Sequence, residues 1–195
     1  MESRVKFAGH SVHQMLIVFP LGLLATAVVF DIIYLVSDRS QWTVAAYYMI
    51  GAGIIGGLAA AGTGWLDWLG IPGGTRAKRV GLWHGAGNMV VVGLFLLSWV
   101  LRRDNPELPP TGAIVAGLLG AILALVTAWL GGELVDRMAV GVDAGAHLDS
   151  PSSLSKLPAG ANLNSSRGTN SSSYVGLDRR GSPSAPYAGM DRRTG

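Results

Sequence analysis

The chain of 195 residues contains no cysteine. Disulfides, thiolate zinc sites, iron–sulfur clusters and haem attached covalently through cysteine are therefore excluded. Charged residues are also scarce, at 14% of the sequence, whereas hydrophobic residues make up 49%. This balance is too apolar for an ordinary soluble domain. No Walker, Gly-x-Ser-x-Gly, His-Glu-x-x-His or dinucleotide-binding motif occurs, so a hydrolase or a nucleotide-dependent enzyme has no support.

The chain instead has four long hydrophobic runs, at Met15–Val36, Thr43–Trp65, Leu82–Leu101 and Ala113–Gly131. A helix that spans a membrane needs about 20 mostly apolar residues, and each run has about this length. Short connections between the runs favour antiparallel neighbours. The sequence therefore predicts an all-α membrane protein, an antiparallel four-helix transmembrane bundle over residues 1–145.

The distribution of Lys and Arg predicts the topology. Twelve of the fifteen lie on one side, in the N-terminus, the second loop and the region after the fourth run, and three lie in the first and third loops. The positive-inside rule then places both termini in the cytoplasm. The net charge of +3 is not concentrated in one patch, so the expected partner is the lipid bilayer and not a nucleic acid.

Residues 146–195 differ in composition from the rest of the chain. From Ser150 onward this segment is rich in Ser, Gly, Asn and Pro and has few large apolar residues. Such a composition cannot bury enough surface to offset the entropy of ordering the chain. The sequence therefore predicts a disordered cytoplasmic tail.

The start of the first helix is marked by Ser11 and Gln14, which have the spacing of a capping box. This pattern predicts that the helix begins near Val12 and that His13 lies in its first turn. Pro20 lies inside the same run, where its missing N–H predicts a kink.

Two histidines and one carboxylate lie at run ends that an up-and-down bundle brings to one leaflet. His13 begins the first run, Asp67 follows the second and His84 lies in the first turn of the third. Ionisable residues in such positions usually face the bundle interior and mark function.

These residues admit three interpretations. His13 and His84, on different helices at equal depth, match the axial ligands of a b-type haem. With Asp67 they also match a two-histidine, one-carboxylate transition-metal site. In the third interpretation the rings only hydrogen-bond between helices, in a structural or partner-binding membrane module without a cofactor.

Further polar residues are expected to support this cluster. Asn88 lies four residues after His84, so its amide can orient the imidazole, and Thr63 shares a helix face with Asp67. Asp31 is eighteen residues after His13, five helical turns away near the opposite leaflet, where it forms a second polar site or a hydrogen bond to a neighbouring helix. Glu133 is either paired with Arg137 at i,i+4 on the surface or close to the histidine cluster.

Several motifs occur in a fixed order, namely His13 with Phe19-Pro20-x-Gly22, Gly64-x-x-Asp67-Trp68-x-x-Ile71-Pro72, His84-x-x-x-Asn88, Ser98-x-x-x-Arg102 and Gly131-Gly132-x-Leu134-Val135. Over roughly residues 10–145 the chain resembles the bacterial membrane family called domain of unknown function 2231. The resemblance implies a four-helix protein of the bacterial inner membrane without an established activity. In some members of this family the domain is joined to an iron–sulfur or cytochrome module, which implies a redox role. For this chain the resemblance then implies a redox partner that is a separate protein.

Overall fold

The computed structural model describes residues 1–161 of the chain. Residues 162–195, which make up most of the predicted tail, lie outside the described residues. The described part of that tail, residues 146–161, contains no helix or strand. Ser153 nevertheless lies against Gly9, since a Cβ built on this glycine would be 2.7 Å from the Cβ of Ser153.

The described residues form a short β-hairpin followed by helices, with β1 at Lys6–Phe7, β2 at His10–Ser11, α1 at Val12–Leu16, α2 at Val18–Ser37, α3 at Gln41–Gly70, α4 at Arg76–Arg102 and α5 at Thr111–Gly132. A π-helical segment, Glu133–Arg137, continues from α5. Helices α1 and α2 together form the first of four segments that are long and apolar enough to cross a membrane. The four predicted spans are therefore confirmed, and the helices extend beyond most of the predicted limits because polar residues at the ends are also helical.

The first span begins at Val12 as predicted, but not with the predicted capping box. Ser11 is the N-cap, and its side chain makes no capping hydrogen bond. The N–H of Val12 instead donates to the carbonyl of Val5 in the N-terminal segment. The helix is interrupted at Ile17, so that Pro20 becomes the third residue of α2. Backbone N–H groups in the first turn of a helix have no intrahelical acceptor, so a proline there removes no hydrogen bond from the helix.

The long helices form a closed ring. Helix α2 packs against α3 and α5, and α4 packs against the same two helices, so α2 and α4 lie diagonally across the bundle. The core between them contains the buried residues Leu24, Ala27, Ala46, Ile50, Ile54, Val91 and Phe95. Large apolar side chains also point outward, among them Ile55 and Leu125, which are 71% and 73% exposed. An apolar exterior of this kind suits a lipid environment.

Candidate functional site

His13 and His84 meet at one end of the bundle, called the histidine end below. Their ring centroids are 6.4 Å apart and their planes are inclined at 87°. The two residues come from diagonal spans, because His13 lies in α1 and His84 lies near the start of α4. The rings therefore face each other across the bundle and not along one helix-helix interface.

A backbone hydrogen bond holds the ring of His13. Its Nδ1 is 2.8 Å from the carbonyl oxygen of Ala60 in α3. A carbonyl oxygen can only accept, so Nδ1 carries the proton and Nε2 has the lone pair in the neutral ring. One turn after Ala60, Gly64 lies directly against the imidazole, since a Cβ built on this glycine would be 2.8 Å from ring atoms. Thr63 donates its hydroxyl to the same carbonyl at 3.0 Å.

The same arrangement holds the ring of His84. Its Nδ1 is 2.8 Å from the carbonyl oxygen of Thr127 in α5. Four residues later, Gly131 lies against the ring, and a Cβ built there would be 3.0 Å from His84 Cε1. Each histidine is thus bound to a helix carbonyl and packed against a glycine one turn further on.

Asn88 adds a contact that His13 does not have. Its amide nitrogen lies 3.2 Å from His84 Nε2 and 3.0 Å from the backbone carbonyl oxygen of His84. Its side-chain oxygen accepts a hydrogen bond from the hydroxyl of Thr127 at 3.0 Å. The predicted contact between Asn88 and His84 is therefore present, and the amide has two other partners besides the ring.

Asp67 does not join the two histidines. Its carboxylate accepts hydrogen bonds from the Ser3 hydroxyl at 2.8 Å and from the backbone N–H of Arg4 at 2.6 Å. Within residues 1–161, no group of three or more His, Asp or Glu side chains is arranged to hold a metal ion. The structure thus does not form the expected three-ligand site, because N–H and O–H donors of the N-terminal segment occupy the carboxylate.

The N-terminal segment closes over the histidine end. The amino group of Met1 donates to the carbonyl of Ala139 at 2.9 Å. Lys6 forms ion pairs with Glu2 at 2.8 Å and with Asp143 at 2.5 Å. The hydrogen bond to Asp143 raises the pKa of Lys6. This segment therefore links the end of α3 to the chain that follows the last helix.

Glu133 also has a partner other than the one expected from its spacing. Its carboxylate pairs with Arg76 at 2.7 Å, at the start of α4, and not with Arg137. Arg137 lies in the same π-helical segment as Glu133, so the spacing of four residues does not by itself decide the partner of this carboxylate.

The opposite end of the bundle, called the ion-pair end below, contains a fully buried charge pair. Arg102 donates from Nη1 and Nη2 to the two carboxylate oxygens of Asp31, both at 2.6 Å. Arg102 is 0% exposed and Asp31 is 1% exposed. Ser98 accepts from Arg102 Nη2 at 3.1 Å and donates to the Ala113 carbonyl at 2.6 Å. Asp31 is therefore hydrogen-bonded to the diagonally opposite helix α4, and the two residues form a polar pair at this end of the bundle.

Sequence reasoning missed three parts of these two sites. It counted Arg102 as a loop cation, although its spacing of four residues from Ser98 placed it on the same helix face. It also missed Thr127 and the two glycines that pack on the imidazoles. Gly64 and Gly131 both occur in the quoted motifs, but nothing in one sequence assigns a glycine to a particular ring.

Comparison with protein families identifies the chain. A family model described as "Predicted membrane protein (DUF2231)" matches residues 9–144. The matched region begins just before His13 and ends after the π-helical segment, so it contains both polar sites. Comparisons with curated proteins and with solved structures found no match. The chain belongs to the DUF2231 family of membrane proteins.

Proposed function

We propose that this protein is an electron-transfer module of the bacterial cytoplasmic membrane, with both termini in the cytoplasm, that holds a b-type haem through His13 and His84. The observation that carries the proposal is the pair of imidazoles that face each other across the bundle, 6.4 Å apart. With metal–nitrogen bonds of about 2.0 Å, two imidazoles on opposite sides of one iron have centroids roughly 6 Å apart. The spacing would therefore suit a haem held by both His13 and His84.

The hydrogen bonds of the rings support the same role. Histidines that bind metals usually donate the second ring N–H to a carbonyl or carboxylate, which fixes the tautomer and the ring orientation. Nδ1 of His13 and Nδ1 of His84 both have such a partner. In each neutral ring Nε2 is then the nitrogen that can bind iron.

The glycines make room for the imidazoles themselves. A Cβ built on Gly64 would be 2.8 Å from the ring of His13, and one built on Gly131 would be 3.0 Å from the ring of His84. Each ring is thus held between two helices, which supports the proposal because a metal ligand needs a constrained orientation.

Held by His13 and His84, a b-type haem would supply one-electron transfer. The chain itself orients His13 and His84 and keeps both ring planes fixed. Asn88 is a positioning residue, because its amide lies beside the Nε2 of His84 and has the His84 carbonyl and Thr127 as alternative partners. The electron donor or acceptor would be a separate protein, since this chain has no cysteine for an iron–sulfur cluster.

The test is the haem content and the absorption spectrum of the full chain, expressed with haem precursor and purified in detergent. We expect about one haem per chain and a Soret band that shifts on reduction with dithionite. His13→Ala and His84→Ala should each abolish it. His10→Ala is the matched control, because among residues 1–161 this exposed ring bonds only to the nearby Ala8 carbonyl.

Two other outcomes would contradict the haem assignment. If the rings only connect helices, no Soret band appears and each histidine substitution costs about 0.6–2 kcal/mol, the range for hydrogen bonds between membrane helices. If the pair binds a transition metal instead, elemental analysis finds stoichiometric metal without a Soret band. That metal is then lost on substitution of either histidine.

A further inference from the structure

The two halves of the bundle have equivalent positions. Hairpin A comprises the first two spans (residues 12–70), and hairpin B comprises α4 and α5 (residues 76–132). His84 follows His13 by 71 positions, the same separation as between Asp31 and Arg102. Leu24 and Phe95, and Ala27 and Ser98, are also 71 positions apart. All of these pairs lie in the first helical span of their hairpin.

The second helices of the hairpins correspond with a different separation. Gly64 and Gly131 are 67 positions apart, as are Gly53 and Gly120, and Ala46 and Ala113. The residues in the last two pairs are buried. The segment from Asp31 to Ala46 is four residues longer than the equivalent segment from Arg102 to Ala113, because α2 continues past Asp31 to Ser37 whereas α4 ends at Arg102. This difference accounts for the change from 71 to 67, so the correspondence extends through both helices.

Contacts are repeated as well as positions. A Cβ built on Gly53 would be 2.6 Å from Leu24, and one built on the equivalent Gly120 would be 2.9 Å from the equivalent Phe95. In each hairpin the histidine donates to a carbonyl of the second helix of the same hairpin, Ala60 in hairpin A and Thr127 in hairpin B, both at 2.8 Å. Ala60 and Thr127 are also 67 positions apart. Chance similarity of amphipathic helices does not produce matched pairs of this kind.

The helix neighbours follow the same symmetry. Between the hairpins, α3 packs on α4 and α2 packs on α5, which are equivalent interfaces when the hairpins are exchanged. Parallel repeats in membrane proteins are related by an axis along the membrane normal. We infer that the bundle is a pair of structurally equivalent hairpins about such an axis, and that the buried Asp31–Arg102 pair specifies that hairpin A pairs with hairpin B.

Because the two hairpins are structurally equivalent, the bundle needs a feature that decides which hairpin pairs with which. Two equivalent hairpins present similar surfaces, so a hairpin A could also pair with hairpin A of a second copy. That pairing would bring Asp31 against Asp31, and pairing of two B hairpins would bring Arg102 against Arg102. Like charges without partners are costly in an apolar interior. Only the A–B pairing gives the bidentate ion pair, which is specificity by exclusion of the alternatives.

The neighbours of the ion pair differ between the hairpins, in agreement with this role. Hairpin B has Ser98, which accepts hydrogen bonds from Arg102 at 3.1 and 3.3 Å, where hairpin A has Ala27. Hairpin B also has Gly117, where a built Cβ would be 3.8 Å from Asp31 Oδ2, and hairpin A has Ile50 at the equivalent position. The positions at which the two hairpins have different residues thus lie around the ion pair of Asp31 and Arg102.

Cysteine cross-linking of the full chain tests the inference, because the native sequence contains no cysteine. A Cβ built on Gly57 would be 3.4 Å from Val92, so Gly57→Cys with Val92→Cys reports A–B pairing within one chain. Leu21 is the equivalent of Val92, 71 positions earlier. Gly57→Cys with Leu21→Cys therefore joins two chains when A pairs with A, and the product migrates as a dimer.

With the native ion pair, we expect the 57–92 link within single chains and no dimer from the 21–57 variant. Asp31→Leu with Arg102→Met should keep the bundle folded, since an apolar pair often replaces a buried ion pair without loss of stability. In that background the 57–92 link should decrease at least twofold and 21–57 dimers should appear. Asp31→Asn with Arg102→Gln, which removes the charges but keeps polar side chains, should give the same result.

The control is Arg103→Met with Asp104→Leu, an exposed ion pair next to the buried one, and it should leave both links unchanged. An apolar variant that forms the 57–92 link as completely as the native chain, without 21–57 dimers, would overturn the inference. None of these measurements depends on a bound cofactor. A result that contradicts the pairing inference therefore leaves the haem proposal untouched, and the reverse also holds.

Discussion

Replacement of Arg102 by methionine should destabilise the protein more than any nearby surface change. The guanidinium is 0% exposed and makes two hydrogen bonds of 2.6 Å to Asp31. Methionine is long enough to fill part of the space but has no donor. Asp31 would then remain as a buried carboxylate without a compensating charge.

The magnitude follows from that uncompensated charge. Removal of one partner from a buried ion pair costs about 3–5 kcal/mol, because the remaining charge stays desolvated. Arg103→Met is the matched control: its side chain is 66% exposed, and surface changes of this kind stay within about 0.5 kcal/mol.

The assay is reversible unfolding in mixed micelles with increasing denaturing detergent, followed by helical circular dichroism. The reasoning also predicts that Asp31→Leu, added to Arg102→Met, recovers most of the lost stability, because the unpaired charge is removed. If Arg102→Met is no more destabilising than Arg103→Met, loss of the buried ion pair does not carry the predicted cost of an uncompensated charge. The same conclusion follows if the double variant is less stable than Arg102→Met alone.

Three further predictions concern the histidine end. Gly64→Ala should cost about 1–3 kcal/mol by overpacking against the imidazole, whereas Gly62→Ala, with open space around it, should be neutral or slightly stabilising; equal effects in detergent unfolding would exclude a close glycine–ring contact. Asp67→Ala should release the N-terminal segment, seen as faster hydrogen exchange at residues 3–5, and unchanged exchange would show that the carboxylate does not hold it. The hydrogen bond from Lys6 lowers the pKa of Glu2. The contact between the two side chains is therefore fully present at pH values above the usual glutamate pKa of about 4.3, and it is lost as the pH falls through the lowered pKa of Glu2. Protection factors at residues 2–6, which are exchange rates corrected for the intrinsic pH dependence of amide exchange, should therefore fall in acid in the native chain but not in Glu2→Gln. An identical pH profile of these protection factors for the two chains would contradict this.

Much of the fold was predictable because bilayer thickness sets the length of a spanning helix. Four hydrophobic runs predicted four spans, and alternation predicted that His13 and His84 would lie at the same end. Helical spacing also placed Asp31 near the other end. These predictions use only period and length, which one sequence contains.

The partners of the polar residues were less predictable. The acceptors of the histidine protons are backbone carbonyls, which every residue has, so no side-chain pattern marks them. Asp67 and the histidines share an end of the bundle, but N–H and O–H donors from Ser3 and Arg4 occupy the carboxylate first. Arg102 has the pattern of an ordinary loop cation until the depth of Asp31 on the diagonally opposite span is considered.

The electron paramagnetic resonance spectrum of the oxidised, purified protein tests the central claim most directly. The imidazole planes of His13 and His84 are inclined at 87° to each other, and each ring is held by an Nδ1 hydrogen bond to a helix carbonyl. A ferric haem between His13 and His84 should therefore be low-spin, with the strongly anisotropic signal that crossed imidazole planes produce. A high-spin ferric signal, which indicates a missing axial histidine, or the absence of any haem signal after expression with haem precursor would contradict the account.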